Sequence, residues 1–221
     1  MTHPRTFYAS IGLKPEKQTD SPKEHSRRHR ILNAGRDLML ERGYSATTVD
    51  DICKLAGVAK GGYFHHFASK EMMAREVLEH FIEGLFAVMS LARDPQLETD
   101  PLKRLRRMFH HLAFAYESME SGPGCLIGML AMELGAKDKQ FADTCNKAFG
   151  TMRTAIESEL EAAIELHSAP QQDTTAMAQG AVATFQGAAI LARAKNDRGV
   201  IRETLNNYAN LLENLILRSE D

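Results

Sequence analysis

Apolar residues recur at intervals of three and four along most of the chain, and this spacing is typical of helices with one buried face. The first such face begins near Arg27 and is followed by Gly43, which predicts the end of a helix. A second, short helix begins at Thr47 or Thr48, either of which can cap it, and Gly57 ends it. We expect its buried face to comprise Val49, Ile52, Leu55 and Ala56.

The rest of the chain has the same period and no strand-like alternation. A third short helix is predicted over about residues 59–67, and a fourth is capped by Ser69 and runs to about Leu91. Pro101 opens the next helix, since proline suits a first helical position. Helices are further predicted over residues 101–119, 125–134, 138–167, 173–195 and 198–218. The predicted fold class is therefore all-α, with about nine helices.

Length and cysteine content exclude several classes of protein. In 221 residues no apolar run approaches the ~18 residues of a membrane span, and the N terminus lacks the apolar stretch of a secretory signal. Three cysteines, Cys53, Cys125 and Cys145, fit neither a disulfide framework nor paired zinc ligands. We therefore expect a cytoplasmic protein with no membrane partner, no metal and no cofactor.

Charge is distributed unevenly along the chain. Residues 1–70 contain 12 Lys and Arg against 7 Asp and Glu, a net charge of +5, whereas residues 71–221 contain 15 against 22, a net charge of −7. This asymmetry indicates a basic module joined to an acidic one. Residues 1–25 are polar and contain three prolines, so we expect a flexible arm; a tail that docks on the body or on DNA is the alternative.

The spacing of residues 48–67 is that of a helix-turn-helix. Two short helices that cross steeply need a glycine in the turn, here Gly57, and a small apolar residue at the crossing, here Val58. Gly61 and Gly62 allow the backbone of the second helix to approach DNA closely. The side chains that can reach phosphates are those of Lys60, His65 and Lys70.

The segment 30–71, RILNAGRDLMLERGYSATTVDDICKLAGVAKGGYFHHFASKE, resembles the DNA-binding domain of the tetracycline-repressor (TetR) family, whose usual string is close to TTVxDIAxxAGVSKGTxYxHFxSKE. The resemblance implies a homodimer on a palindromic operator in double-stranded DNA, with the third helix of each subunit in a major groove. It also implies a helix-turn-helix domain at residues 26–72, after the arm, and a ligand-sensing and dimerisation domain at residues 73–221.

Carried over by position, the family's DNA contacts fall on Thr48, Lys60, Gly61, Gly62, Phe64, His65 and Lys70. The chain departs from the family pattern at Cys53, where alanine is usual, and at three places that bear on DNA binding. Ala59 replaces the usual serine, which weakens the cap of the recognition helix, and Phe64 replaces the commonest tyrosine, so that a hydroxyl is lost. Gly62 lacks a side chain that often reads a base. We therefore expect DNA shape and backbone contacts to matter more here.

The last two predicted helices carry long apolar stripes. The resemblance implies that they form a four-helix dimer interface, and glycine and alanine around Gly187 allow helices to approach closely. The predicted interface residues are Phe185, Ala189, Ala192, Tyr208 and Leu212. The alternative is that these stripes pack inside one subunit.

An effector pocket is expected between the fifth and eighth helices. Its candidate lining residues are Met108, His111, Leu112, Phe114, Ala115, Cys125, Met129, Met132, Met152 and Phe185. Methionine adapts to irregular cavities, although methionine at helical spacing is also ordinary core. Such a lining favours a small effector that is largely uncharged or weakly acidic.

Cys125 follows Gly-Pro-Gly and is expected to open a helix, where the helix dipole lowers the pKa of a thiol. The segment GCLIGMLAMELG resembles GCLxGNLxxEL of a TetR branch that includes repressors responding to quinones, aldehydes or acrylate-like compounds, with Met129 in place of the usual asparagine. This resemblance suggests that Cys125 senses electrophiles. A small structural residue at a tight helix start is the alternative.

Together these features predict a ligand-responsive transcriptional repressor that a small-molecule effector releases from DNA. An effector-independent DNA-binding regulator or activator is the first alternative. The second is a thiol enzyme in which Cys125 pairs with His110 or His111. No residue orients such a pair and the chain has no nucleotide or metal motif, so an enzyme is not expected.

Overall fold

The computed structural model describes residues 22–119, 121–122 and 124–217. These residues form nine helices and no strand, which confirms the predicted all-α class. The first helix, α1, spans Pro22–Arg42 and so begins before the predicted start at Arg27. Proline is tolerated in the first turn of a helix, where its missing N–H is not needed. The predicted arm therefore ends in helix, and its residues 1–21 lie outside the described residues.

The other helices follow the predicted order and differ from the predicted bounds by a few residues at most. They are α2 (Val49–Ala56), α3 (Lys60–His66), α4 (Lys70–Ala92), α5 (Pro101–Glu117), α6 (Leu126–Leu134), α7 (Lys139–Leu166), α8 (Thr174–Lys195) and α9 (Gly199–Leu217). Within the described ranges, no helix is both long enough and apolar enough to cross a membrane.

Polar side chains start several of these helices by accepting hydrogen bonds from backbone N–H groups that have no partner within the helix. The hydroxyl of Ser69 accepts from Met72 N at 3.1 Å at the start of α4, as predicted. Asp100 accepts from Leu102 N at 2.9 Å beside Pro101, and Asp173 accepts from Ala176 N at 2.9 Å. The carboxylates are also favoured by the helix dipole at these positions.

The helices form two compact units that are not continuous in sequence. The first comprises the described parts of Met1–Gly84 and Glu120–Cys145, and the second comprises Leu85–Met119 and the described part of Asn146–Asp221. The predicted boundary at residue 72 treated each domain as one stretch of chain. In the structure, α6 and the start of α7 belong with the N-terminal helices.

The core of the first unit is built from α1, α2, α3, the first half of α4, and α6. Ile52, Cys53 and Ala56 form the buried arc of α2. Leu55, which was predicted to be buried, is 57% exposed, because it lies outside that arc at about 100° per residue. Fully buried side chains that fill this core include those of Ile31, Met39, Leu40, Tyr63, Phe67, Met73, Leu78 and Leu130.

In the second unit, α9 packs against both α5 and α8. Tyr116 and Phe185 meet edge to face in its core, with ring centroids 5.1 Å apart. The buried carboxylate of Glu159 accepts from Arg93 Nε at 2.7 Å and from Arg104 Nε at 2.9 Å, which joins α7 to α5 and to the segment after α4. A buried charge is tolerated when it is paired in this way.

Candidate nucleic-acid interface

Thr48, one of the two predicted caps, starts α2. Its hydroxyl accepts from Asp51 N at 3.2 Å, and the Asp51 carboxylate accepts in return from Thr48 N at 3.1 Å, which completes a capping box. Hydrogen bonds from Thr48 hold the pKa of Asp51 below its ordinary value. Thr47, the other candidate, is buried and its hydroxyl donates to Gly43 O at 2.8 Å.

The turn between α2 and α3 depends on Gly57. Its backbone is left-handed, with φ of 63° and ψ of 43°, a conformation in which glycine is favoured. A Cβ added there would meet no atom within 4 Å, so the need for glycine is conformational rather than steric. The N–H of Val58 donates to Cys53 O at 3.0 Å and closes the end of α2.

Tyr63 anchors α3 to the first unit, since its side chain is fully buried and its ring lies 5.7 Å from that of Phe67. The opposite side of α3 is exposed and carries Lys60, Gly61, Phe64 and His65. The predicted groove-facing residues therefore share an accessible face, with Gly62 half-buried at its edge. No side chain caps α3 at Ala59, in agreement with the expected loss of the serine.

Lys60 is the exposed cation of this face. Its ammonium lies 2.8 Å from the carboxylate of Asp50, and both side chains are more than half exposed. The hydrogen bond with Asp50 raises the pKa of Lys60. A phosphate that binds Lys60 must therefore compete with a solvated surface ion pair, which is a weak competitor.

Lys70, a predicted phosphate contact, holds a loop of the protein itself. We call Gly43–Thr48, which joins α1 to α2, the α1–α2 loop. The Lys70 ammonium donates to Tyr44 O at 3.0 Å and to Thr47 O at 2.8 Å, and it lies 3.9 Å from the centre of the Tyr44 ring. Burial lowers the pKa of Lys70. An ammonium has three N–H donors, so the phosphate contact stays a prediction beside this structural role.

Glu133, which matches the glutamate of the GCLxGNLxxEL string but was not among the predicted site residues, holds the same loop from α6. Its carboxylate accepts from Tyr44 N at 2.9 Å and from Ser45 N at 2.8 Å. Burial acts to raise the pKa of Glu133, but the hydrogen bonds from Ser45 and Tyr44 outweigh it and the pKa is lowered. Glu133 is the one charged residue in the otherwise apolar α6, and its match to a fixed glutamate of the string was a second available indication of a specific contact.

The predicted dimer-interface residues lie mostly inside one protomer. Phe185, Ala189, Ala192 and Leu212 are at most 2% exposed in the core of the second unit, and half-buried Tyr208 donates to Met177 O at 2.9 Å. This burial favours the alternative that the stripes pack inside one subunit, and the interface role of the four buried residues stays an untested prediction. Apolar stripes look the same whether they face the subunit's own core or a partner.

The predicted pocket residues fall in both units. In the second unit, Met108, Leu112, Ala115, Met152 and Phe185 are buried, whereas Phe114 is exposed. His111 is half-buried there, and desolvation together with the charges of His110 and Arg107 lowers its pKa.

In the first unit, Cys125 is buried and Met129 is half-buried. Met132 is 73% exposed, and its place in the effector pocket stays a prediction. It lies two positions, about 200° around the helix, from the buried Leu130.

The second unit also has an open groove of about 1010 Å³ along α7 and α8. It contains none of the predicted pocket residues. Polar and charged side chains form much of its surface, among them those of Arg93, Asn146, Lys147, Arg153, Gln179 and Gln186.

The three cysteines are buried thiols rather than members of a disulfide. Cys125 is the N-cap residue of α6, as predicted, and is 3% exposed. The Cys145 thiol lies 3.5 Å from Ile127 O in the first turn of α6, and burial raises its pKa to about 11. In the part of the chain that the structure describes, no three His, Cys, Asp or Glu side chains cluster as metal ligands would.

Two family models match the chain. Residues 31–77 match the model described as bacterial regulatory proteins, tetR family, and residues 101–206 match the C-terminal domain of LmrA/YxaF-like transcriptional regulators. Together these segments make up more than half of the chain; the first runs from within α1 into α4, and the second runs from α5 into α9.

Comparisons with individual proteins also find transcriptional regulators. The transcriptional repressor DhaR of Mycobacterium sp. strain GP1 is 29% identical over 199 residues, which are 88% of this chain and 94% of that repressor. The repressor KstR2 of Mycolicibacterium smegmatis is 40% identical over 91 residues, which are 41% of this chain and only 43% of KstR2. A solved TetR-family regulator from Agrobacterium tumefaciens has a TM-score of 0.76 at 22% identity over 87% of this chain and 99% of its own, which shows a shared fold.

Proposed function

The chain belongs to the TetR family of transcriptional regulators, and from that premise we propose that it is a repressor that binds a palindromic operator as a homodimer and leaves it when a small-molecule effector binds. One observation carries the DNA-binding part. The cap at Thr48, the left-handed turn at Gly57 and the buried Tyr63 hold α3 so that one of its sides stays open to a major groove. The relatives are described as regulators, which favours this function over an enzyme.

The open side of α3 suggests how DNA is recognised. It carries Lys60 and His65 for phosphates, 48%-exposed Phe64 for apolar contact, and Gly61 and Gly62, at which an added Cβ would meet no atom of the protein within 4 Å. Few side chains on this face can read base edges by paired hydrogen bonds. Recognition is therefore expected to depend largely on backbone contacts and on the shape of the DNA.

Selection of a duplex from a randomised library, followed by titration of the selected duplex at several salt concentrations, tests DNA binding directly. For Lys60→Ala we expect weaker binding and a shallower salt dependence, by about one unit of slope for each phosphate that is no longer neutralised. Lys139→Ala, which removes an exposed lysine of α7, is the control and should leave both quantities unchanged. Identical behaviour of the two variants would contradict the role of α3.

We propose that the homodimer forms through the side of α8 and α9 that the second unit leaves exposed. On α8 this side carries the small residues Ala183 and Gly187 beside Ile190, which is 59% exposed; on α9 it carries Leu211 and Leu215. Small residues allow two helices to approach closely, and exposed aliphatic residues supply apolar area. Analytical ultracentrifugation should show a weaker dimer for Ile190→Asp and no change for Leu97→Asp, an equally polar change at an exposed leucine outside these helices.

For the effector we propose two sources of recognition. The buried side chains of Met108, Leu112, Met152 and Phe185, with half-buried His111, suit a small apolar molecule with one polar group. Cys125 suits an electrophilic effector of the enal or acrylate class. The thiolate sulfur would form a bond to the β-carbon, the alkene electron pair would move to the α-carbon, and that carbon would take up a proton equivalent to the one lost by the thiol.

The burial of Cys125 gives this adduct a physical effect, since added atoms at a 3%-exposed site cannot fit unless the first turn of α6 moves. An operator complex treated with acrolein should release its DNA, and mass spectrometry should locate the adduct on Cys125. Cys125→Ser should resist release, whereas Cys53→Ser, the matched control, should respond like the wild type. Equal release from the Cys125→Ser variant would exclude Cys125 as the sensor.

A further inference from the structure

The α1–α2 loop is held by side chains from two different helices. From α4, Lys70 donates to two carbonyl oxygens of the loop, and from α6, Glu133 accepts from two of its N–H groups. The carbonyl oxygens of the loop are thus bound by a positive charge, and its N–H groups are bound by a negative charge. Hydrogen bonds to charged groups are among the stronger ones in proteins, so these bonds fix where the loop lies.

The α6 region approaches this part of the chain closely at two glycines. At Gly43, where φ is 89°, an added Cβ would lie 2.6 Å from Glu133 Oε1. At Gly122, in the segment before α6, an added Cβ would lie 3.1 Å from Leu40 O at the end of α1. The α6 region therefore meets this part of the chain at two places, through the Glu133 side chain and through the backbone at Gly122.

The loop leads directly into the DNA-reading helices. It ends at Thr48, whose capping box starts α2, and α2 is joined through the Gly57 turn to α3. The bonds to Glu133 are 2.8 and 2.9 Å long, and such bonds are largely broken beyond about 3.5 Å. A shift of α6 by less than about 1 Å is thus enough to release the loop or to carry it along.

The same helix carries the candidate thiol at its other end. Cys125 is the N-cap of α6 and Glu133 lies in its last turn, eight residues later, which corresponds to about 12 Å along the axis. A short helix moves as a rigid body, so a displacement at its first turn is also a displacement of the Glu133 carboxylate.

We propose that Glu133 is a positioning residue for operator binding: from α6 it fixes the α1–α2 loop, and through the loop it fixes the place of the helix-turn-helix. The residue acts without touching DNA. The inference rests on the proposed function, since it assumes that the α3 face binds an operator, and it adds the element and the side chain that make binding conditional.

Amide hydrogen exchange and operator affinity, measured on the full chain, test the two halves of this inference. Glu133→Gln keeps the size of the side chain but sets an NH2 group against a backbone N–H, and Glu133→Ala removes both acceptors. For both variants we expect faster exchange at Tyr44 N and Ser45 N and about tenfold weaker binding of the selected duplex, the factor that one hydrogen bond to a charged group is worth. The salt slope should not change, because every phosphate keeps its partner.

Asp143→Ala is the matched control. It removes the same charge from an exposed residue of α7, whose carboxylate lies 2.8 Å from Lys139 Nζ one helical turn away, and should alter neither exchange nor affinity. If Glu133→Ala does not fold, as judged by circular dichroism, the isosteric Glu133→Gln decides the outcome.

If amide exchange at Tyr44 and Ser45 is unchanged in the Gln variant, Glu133 does not hold the loop. If exchange is faster but the affinity for DNA is unchanged, Glu133 holds the loop but is not a positioning residue for operator binding. Tighter binding with an altered salt slope would show direct repulsion of phosphates and would also overturn that role. If the wild type selects no duplex, the proposed function fails, and the exchange data still decide whether Glu133 holds the loop.

Discussion

Replacement of Gly43 by alanine gives a quantitative test of the geometry around the α1–α2 loop, because the structure supplies its own control. Gly43 and Gly57 both have positive φ angles, 89° and 63°. A Cβ at Gly57 would meet nothing within 4 Å, whereas a Cβ at Gly43 would meet Glu133 Oε1 at 2.6 Å. The two substitutions therefore share the backbone strain and differ in the encounter with Glu133.

The backbone term is small in both cases. A left-handed conformation costs a residue with a Cβ about 1–2 kcal/mol, and the stiffer unfolded chain of the alanine variant returns about 0.4–1 kcal/mol. We expect Gly57→Ala to lower the free energy of unfolding by about 1 kcal/mol. At Gly43 the Glu133 carboxylate, at the end of a flexible side chain, would swing away and lose its hydrogen bonds to Tyr44 N and Ser45 N. Since water can replace part of that loss at the exposed Ser45, we add about 2 kcal/mol, which gives about 3 kcal/mol in total.

Urea unfolding followed by circular dichroism, at one protein concentration, measures these differences. A double-mutant cycle isolates the contact: in a Glu133→Ala background, Gly43→Ala should cost only the backbone term of about 1 kcal/mol, so the interaction energy is about 2 kcal/mol. Equal effects of Gly43→Ala and Gly57→Ala, or a cycle that is additive within about 0.5 kcal/mol, would refute the placement of Glu133 against the loop.

Three further changes test other parts of the structure. Ala59→Ser should supply the missing cap of α3 and raise the free energy of unfolding by about 1 kcal/mol; a neutral or destabilising result in urea unfolding would mean that the introduced hydroxyl does not cap the helix. Glu159→Gln should cost about 3 kcal/mol because it leaves two arginines facing an uncharged group, whereas exposed Glu161→Gln should change stability by less than about 0.5 kcal/mol; similar losses would count against the buried cluster. The pKa of Glu133 is lowered by its hydrogen bonds despite the opposing effect of burial, so its stabilising contribution is complete above the unfolded value of about 4.3 and is lost as the pH falls through the folded pKa. The stability difference between wild type and Glu133→Gln should therefore shrink below about pH 4, and a difference that grows on acidification would contradict this sign.

The helix-turn-helix could be predicted from sequence because its determinants are local. The cap at Thr48 and the glycine turn at Gly57 each act within a few residues of chain, and a short string of letters contains both. Helix ends were predictable for the same reason at Ser69 and Asp173, whose side chains bond backbone groups three residues ahead. The predicted arm included Pro22, but a first helical turn accepts proline, and α1 begins there.

The dimer face and the contact of Glu133 with the α1–α2 loop depend on which residues pack together in three dimensions. Hydrophobic periodicity along the sequence does not contain that information. The stripe through Phe185, Ala189 and Leu212 is as apolar as an interface, yet these side chains are buried among α5, α8 and α9 of the same chain. The bond from Tyr44 N to Glu133 joins residues 89 positions apart, and nothing near either residue specifies the other.

The kind of contact that holds the α1–α2 loop bears on how such a protein can be switched. Apolar side chains that pack against each other slide over a fraction of an ångström with little change in energy, because dispersion is summed over many pairs of atoms. Two hydrogen bonds from one carboxylate to adjacent N–H groups depend on distance and angle, so they are either formed or broken over the same shift. A loop held by Lys70 from α4 and Glu133 from α6 therefore has one well-defined position only while both helices keep their places. On the proposed function, that dependence turns a small movement of α6 into a change of affinity for DNA without unfolding any helix of the DNA-binding module.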